Sequence, residues 1–150
     1  MSLIKLFLTK GNVLLKISMA IFVFAFIGAF YNHANDLIRG GLFPYEKLNH
    51  NVPTWLNIYW TMLTFLDLLA IIVLFLDMKK GQLLYLAIIV SDVIINFSFV
   101  IHHYGQWSWV NFMQICQLLF MIFVVATFFP IKKAIGKIEN IERKQGKVFR

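Results

Sequence analysis

Apolar residues fill four long stretches of the chain, separated by short polar connections. The stretches cover residues 17–36, 55–76, 83–103 and 108–129. Each is close to the ~20 residues that a helix rising ~1.5 Å per residue needs to cross a ~30 Å hydrocarbon layer. Their few polar residues are grouped, whereas a soluble helix alternates polar and apolar faces from end to end. The pattern predicts an all-α integral membrane protein with four spans, forming a single domain over residues 1–150.

Composition agrees with this prediction. Of the 150 residues, 60% are apolar and only 14% are charged, against about 45–50% and 25% in soluble domains. The one cysteine, Cys116, falls within the fourth stretch and has no partner for an intrachain disulfide. A cleaved signal peptide is the competing interpretation of the N-terminus, although the first apolar stretch is longer than a usual signal-peptide core.

Positive charge marks one side of the predicted bundle. Twelve of the fourteen Lys and Arg residues lie before the first stretch, between the second and third, or after the fourth. An even number of spans puts both termini on one side, and the positive-inside rule makes that side the cytoplasm. We therefore predict an antiparallel four-helix bundle with cytoplasmic N- and C-termini. The basic tail at 131–150 is expected to lie at the membrane surface, attracted to anionic lipid.

This charge asymmetry accounts for the net charge of +7, so we expect membrane lipids as partners and no nucleic acid. The expected location is the bacterial inner membrane, or the endoplasmic reticulum if the chain is eukaryotic. Homo-oligomerisation is left open.

Polar residues within each stretch fall on one helical face at ~100° per residue. In the third stretch, Tyr85, Asp92, Asn96 and His103 lie within about 40° of arc. Asp67 in the second stretch and Asp92 both lie about 14–15 Å above the cytoplasmic boundary, at ~1.5 Å per residue. Most other polar residues lie on the outer side of this level. The pattern predicts a polar funnel that opens outward and ends on two carboxyl groups.

Two carboxyl groups at mid-membrane should face the bundle interior and have partners, because an ionised side chain costs a few kcal/mol there. No lysine or arginine is placed at that depth. A shared proton or a bound cationic ligand would resolve the conflict. The alternative is that the aspartates only join helices by hydrogen bonds. We predict a ligand-binding pocket whose residues are Asp36, Asp67, Asp92, Asn96, His103, Thr64, Asn111 and Gln114, with an aromatic rim of Tyr59, Trp60, Trp107 and Trp109.

Motifs of soluble catalysis are missing from the sequence, including G-x-S-x-G, H-E-x-x-H and C-x-x-C. Catalytic residues are therefore not assigned. Several residues near the predicted outer mouth could bind a divalent metal, but their spacing matches no compact motif, and haem ligation by His102 or His103 is disfavoured for want of paired histidines deeper in the bundle. We predict no metal and no cofactor. The residues of the rejected metal set are His33, Asp36, Glu46, His50, His102 and His103.

The segments "NDLIRGGLFPY" and "VPTW", with an acidic residue in the second span, resemble the EXPERA group, which includes the emopamil-binding sterol isomerase. The resemblance implies a bundle of four or five helices with cytoplasmic termini and an acidic pocket that receives an amine or a sterol carbocation. Asp36 and Asp67 would be the pocket acids, with Asn96 and His103 lining it. The histidine–glutamate pair of the sterol isomerase is not recognisable. The DoxX-like group of four-span proteins shares the topology and is a second candidate.

Three functions are compatible with these features. The first is a binding protein whose intramembrane pocket takes a lipid-like or cationic amphiphilic small molecule. The second is a lipid-modifying or isomerising enzyme that uses Asp67 and Asp92 for proton transfer. The third is a small transporter coupled to protonation of the same pair, although broken or inverted-repeat helices are not evident.

Overall fold

Four α-helices make up nearly all of the described part of the protein. The computed structural model describes residues 13–42, 52–104 and 112–148. The helices are α1 (Val13–Gly40), α2 (Thr54–Leu76), α3 (Met78–Tyr104) and α4 (Phe112–Val148). No strand occurs within these ranges, so the prediction of an all-α chain with four helices is confirmed.

Each helix contains a segment long and apolar enough to cross a membrane. These segments are Leu15–Gly40, Thr54–Leu76, Met78–His102 and Gln114–Ile141. They overlap all four predicted apolar stretches. Residues 108–111 of the fourth stretch lie outside the described residues. Four such helices indicate an integral membrane protein, as the sequence predicted.

Consecutive helices pack against each other, in a manner compatible with the predicted bundle. α1 packs on α2, α2 on α3 and α3 on α4, whereas α1 and α4 contact each other much less. One face of each helix supplies the buried apolar residues. The largest set is Leu15, Met19, Phe22, Phe26, Leu63, Ala70, Leu74, Met78, Tyr85, Ile88, Ile89, Val93, Val124, Ile131, Ile135 and Ile138.

A single residue, Asp77, separates α2 from α3. Its side chain caps α3, because Oδ1 accepts hydrogen bonds from the backbone N–H groups of Lys79 (3.0 Å) and Lys80 (3.1 Å). Its own N–H donates to the carbonyl of Val73 (2.7 Å), which closes the last turn of α2. Gly81 lies against Leu74 so closely that a Cβ atom would be 2.3 Å from the Leu74 Cα atom. The two helices can therefore approach this closely only with glycine at position 81.

α4 continues as a helix well beyond residue 129, the predicted end of its apolar stretch, and passes through Pro130. Proline at position 130 removes the helical hydrogen bond to the carbonyl of Ala126, four residues earlier. Beside the proline, the buried amide of Gln82 donates to the carbonyl oxygen of Phe128 (2.7 Å). Ile131, Ile135 and Ile138 are buried beyond it. The described part of the basic tail is thus a continuation of α4 with an apolar face packed into the protein.

Candidate functional site

A cavity of about 400 Å³ lies between α1 and α4, with α2 and α3 forming its back wall. Three aspartates from three helices face it: Asp36 on α1, Asp67 on α2 and Asp92 on α3. The remaining lining is mostly apolar, with Asn32, His33 and Gln117 as further polar side chains. The full lining is Phe24, Ala25, Phe26, Gly28, Ala29, Asn32, His33, Asp36, Leu63, Asp67, Ile88, Ile89, Asp92, Cys116, Gln117 and Phe120.

Asp92 is held by a hydrogen-bond network that joins three helices. Its Oδ1 atom accepts from Asn96 Nδ2 (3.0 Å), and its Oδ2 atom accepts from Gln117 Nε2 (3.0 Å). Asn96 Nδ2 also donates to Gln117 Oε1 (3.1 Å). Trp60 Nε1 donates to Asn96 Oδ1 (2.8 Å), which fixes the orientation of the Asn96 amide. Both oxygens of Asp92 therefore accept N–H donors, an arrangement that suits the ionised carboxylate because that form only accepts hydrogen bonds.

Asp67 has a different environment. Only 2% of the residue is exposed, and its Oδ2 atom has no hydrogen-bond partner among the described residues. The nearest opposite group is His33 Nε2, 3.9 Å from Oδ2, which is beyond direct hydrogen-bond distance. The buried His33 Nδ1, Thr64 Oγ1 and Tyr85 hydroxyl likewise have no hydrogen-bond partner within the described ranges. Asp67 is thus a buried carboxyl with an unused acceptor, and it faces a cavity.

An aromatic cluster closes the cavity on one side. The Tyr85 side chain is completely buried, with its ring centroid 3.8 Å from that of Phe26 and 5.6 Å from that of Phe22. From α4, Phe120 packs edge-on against Phe22 (6.2 Å between centroids) and Phe123 does the same (5.8 Å). We call these five residues the aromatic floor. The floor is apolar except for the Tyr85 hydroxyl.

The predicted site residues fall into three groups. Asp36, Asp67 and Asp92 line one cavity. Asn96 is not part of the lining, but its amide donates a hydrogen bond to Asp92. Thr64 and Gln114 are buried in the bundle but do not line the cavity. The backbone of His103 belongs to α3, but its side chain lies outside the described residues, as does the whole of Asn111. That all eight residues contact a ligand stays a prediction.

The predicted aromatic rim does not surround this cavity in the described part of the chain. Tyr59 and Trp60 are absent from the lining. Their polar atoms point to α3 instead, where the Tyr59 hydroxyl hydrogen-bonds to Ser91 Oγ (2.9 Å) and Trp60 bonds to Asn96. The reason is that buried Tyr and Trp side chains need a partner for their polar atoms, and α3 offers two. Trp107 and Trp109 lie outside the described residues.

Sequence reasoning missed two contributions to the site. His33 was assigned to the outer mouth, but it lies beside Asp67. Gln117 is not among the predicted pocket residues, but it both holds Asp92 and lines the cavity. The signal for Gln117 was its place on the polar face of the fourth stretch. For His33 the signal was weaker, because the position of α1 along its neighbours is not encoded in its own pattern.

The electrostatic character of the cavity follows from its lining. None of the residues that line it is Lys or Arg, and His33 is the one histidine among them. Asp67 and Asp92 share this lining with Asp36. Such a site can bind a cation, or it can hold and move a proton between a carboxyl group and an imidazole. Among the described residues, no group of three or more His, Cys, Asp or Glu side chains is arranged to hold a metal ion.

Comparison with known proteins adds no family to these observations. No family model, no curated protein and no solved structure matches the chain. The EXPERA and DoxX resemblances therefore receive no support from the comparisons and stay predictions from the sequence, and the interpretation of the site depends on its own residues.

Proposed function

We propose that this protein is an integral membrane protein that binds a lipid-like or cationic amphiphilic molecule in the cavity between α1 and α4. The observation that carries the proposal is Asp67, a buried carboxyl in the cavity lining whose Oδ2 atom has no hydrogen-bond partner among the described residues. A bound cation would supply the missing partner through a charge-assisted hydrogen bond or ion pair. Asp36 and Asp92 in the same lining would add attraction for positive charge and would repel an anion.

The apolar part of the lining supports an amphiphile rather than a small hydrated ion. Phe24, Phe26, Leu63 and Phe120 share the cavity with the three aspartates. A volume of about 400 Å³ falls within the ~300–1,000 Å³ typical of small-molecule sites, which combine apolar walls with a few polar groups. A ligand with a cationic group and an apolar body meets both features of this lining.

The proposal includes the antiparallel arrangement with cytoplasmic termini. The distribution of Lys and Arg supports this orientation. Large exposed apolar side chains, such as Phe65 (54% exposed) and Leu119 (60%), support insertion in a membrane. Lipid would cover these side chains. In intact cells, a cysteine at Asn49 should react with an impermeant maleimide, whereas one at Lys80 should react only after permeabilisation, with Cys116→Ser as the background. The reverse pattern would contradict the orientation.

The test of the binding function uses dodecyltrimethylammonium, which keeps its charge at every pH, and dodecanoate as the anionic control. Dodecyltrimethylammonium should raise the melting temperature of the detergent-purified protein at neutral pH. The rise should be smaller at acidic pH, because protonation removes attracting negative charge from the aspartates and gives His33 a positive charge that repels the ligand. Asp67→Asn should lose most of the shift. Asp77→Asn, which changes a carboxylate remote from the cavity lining, should retain it.

Cys116 offers a second measurement, because it is the one cysteine of the chain and lines the cavity. Bound dodecyltrimethylammonium should slow alkylation of Cys116 by N-ethylmaleimide in the wild type but not in Asp67→Asn. Equal stabilisation by dodecanoate, or full stabilisation of Asp67→Asn, would refute the binding proposal.

The His33–Asp67 contact favours a lipid-modifying or isomerising enzyme as a second candidate. An imidazole and a neighbouring carboxyl can act together as an acid–base pair. Here His33 Nε2 lies 3.9 Å from Asp67 Oδ2. Such an enzyme would exchange protons with its substrate, so lipid co-purified from cells and incubated with the protein in D₂O should gain deuterium, as measured by mass spectrometry. His33→Gln should abolish the exchange. Absence of exchange with the wild type would leave the binding function alone.

A further inference from the structure

Three small residues of α1 lie in the cavity lining. Ala25, Gly28 and Ala29 follow one another along the wall. Gly28 is exposed, and a Cβ atom built on it would meet no atom within 4 Å. The wall of the cavity is therefore thin and open at the middle of α1, on a helix that is otherwise rich in large apolar side chains.

In the described part of the chain, ring contacts between α1 and α4 lie at Phe22 and Phe26 of α1. Phe22 packs against Phe120 and Phe123, and Phe26 packs against Phe120 with 6.2 Å between ring centroids. These contacts belong to the aromatic floor. Of the neighbouring helix pairs, α1 and α4 touch least. Beyond the floor, where α1 carries Gly28 and α4 carries Cys116, the two helices border the cavity from opposite sides.

Asp67 and the opening lie on different sides of the cavity. The carboxyl belongs to the back wall of the cavity, on α2, and its Oδ2 atom has no hydrogen-bond partner among the described residues. The opening between α1 and α4 belongs to the front. Phe24, at the front of the lining, is 73% exposed, so the border of the opening is apolar. A path from the back to the front thus leads from a carboxyl to an apolar surface.

We propose that the gap between α1 and α4 at Ala25, Gly28 and Ala29 is a lateral portal, through which a single-chain amphiphile enters from the bilayer and its apolar chain remains in contact with lipid. This inference depends on the proposed binding function, and it adds the class of ligand and the route. The cationic group lies at Asp67, and the chain passes over Gly28. A ligand of this shape leaves no charged group in the hydrocarbon region without a partner, which is the requirement that the membrane imposes.

The portal predicts that the effect of a side chain at position 28 depends on the length of the ligand's alkyl chain. Gly28→Leu would place a branched side chain in the path of the alkyl chain while leaving Asp67 unchanged. Gly136→Leu is the matched control, because Gly136 also lies in a helix and has no atom within 4 Å of a built Cβ, but it is remote from the lining. The two probes are dodecyltrimethylammonium and butyltrimethylammonium, which share a headgroup and differ in chain length.

Binding is measured as protection of Cys116 from N-ethylmaleimide at one fixed detergent concentration. In Gly28→Leu, the dissociation constant for dodecyltrimethylammonium should rise about tenfold, the size of effect that one misfitting aliphatic group has in an apolar site. The constant for butyltrimethylammonium should change less than twofold, and Gly136→Leu should leave both constants as in the wild type. The melting temperature of each variant without ligand verifies that it folds.

The outcomes separate the portal from the binding function. If Gly28→Leu weakens the binding of both ammonium ions equally, or of neither, the portal is refuted while binding at Asp67 stands. If the wild type binds neither ion, or if Asp67→Asn binds both as well as the wild type does, the binding function fails and the portal fails with it.

Discussion

The carboxyl oxygen Oδ2 of Asp67 and the imidazole nitrogen Nε2 of His33 lie 3.9 Å apart, at the contact between α1 and α2. The side chain of Asp67 is 3% exposed and that of His33 is 17% exposed, so water screens the interaction little. At this distance the two groups influence each other's charge without forming a direct hydrogen bond. Asp67 therefore remains able to accept a hydrogen bond from a ligand, whereas both oxygens of Asp92 are already engaged by Asn96 and Gln117.

This difference predicts that the two aspartates respond unequally to replacement by asparagine. In Asp92→Asn an amide N–H₂ would replace an oxygen that accepts from Gln117 or Asn96. Trp60 fixes the Asn96 amide, so the network cannot reverse all its amides to compensate. Asp92→Asn should lower the free energy of unfolding by about 1–3 kcal/mol, the penalty of a buried unsatisfied polar group. Asp67→Asn should change it by less than about 1 kcal/mol, because no hydrogen bond to Oδ2 is lost.

The comparison requires equilibrium unfolding of both variants in the same detergent, with circular dichroism as the readout. Trp60→Phe should reduce the penalty of Asp92→Asn when the two changes are combined, because the Asn96 amide would then be able to rotate. Equal loss of stability in the two single asparagine variants, or strict additivity in the double variant, would contradict the structural role given to Asp92.

The sequence predicted the helices and the shared level of Asp67 and Asp92 because both depend on local spacing. A helix of known period and rise places its own side chains by face and depth. Both aspartates do line one cavity. The sequence did not predict the Asp67–His33 contact, since it depends on how α1 slides and rotates against α2. Nor did it predict that Tyr59 and Trp60 bond to α3 rather than surround the cavity.

Close approach between helices is equally hidden from a single helix pattern. Gly81 appears in the sequence as part of a polar connection, "DMKKGQ". In the structure it lies inside α3 and permits contact with the backbone of Leu74. The continuation of α4 through Pro130 is hidden for a similar reason, because the core that buries Ile131, Ile135 and Ile138 includes residues of the other helices.

The turn at Asp77 predicts a stability loss in acid. Backbone hydrogen bonding from Lys80, followed by the charge and side chain of Lys80 and the backbone of Lys79, holds the pKa of this carboxyl below its usual value. A carboxyl whose pKa is lower in the folded state stabilises the protein fully above its unfolded pKa of ~3.9, and the stabilisation is lost as pH falls toward the folded value. The melting temperature should therefore decrease as the pH is lowered past about 4.

Asp77→Asn isolates this contribution, because asparagine also caps helices but does not titrate. The variant should be somewhat less stable than the wild type at pH 6, where Asp77 is ionised, and the difference should shrink at pH 3. Asp77→Ala should be less stable than both at pH 6, by about 0.5–2 kcal/mol for a lost cap. A difference between the wild type and Asp77→Asn that stays constant with pH would show that Asp77 does not titrate with folding.

The contact between Gly81 and Leu74 predicts a large penalty for the smallest possible substitution. In Gly81→Ala the new Cβ atom would be 2.3 Å from Leu74 Cα and 2.7 Å from Leu74 N, so backbone atoms of α2 would have to move. Overpacking against side chains costs about 1–3 kcal/mol, and a clash with backbone should lie at or above the upper end of that range. The turn around Asp77 contains a single residue between the helices, so the helices have little room to move apart.

Gly136→Ala is the control, because its Cβ meets nothing within 4 Å and alanine favours a helix over glycine by up to ~1 kcal/mol. Thermal unfolding should thus show a large loss for Gly81→Ala and a small gain for Gly136→Ala. Similar melting temperatures for the two variants would mean that α2 and α3 are farther apart at this turn than the structure places them.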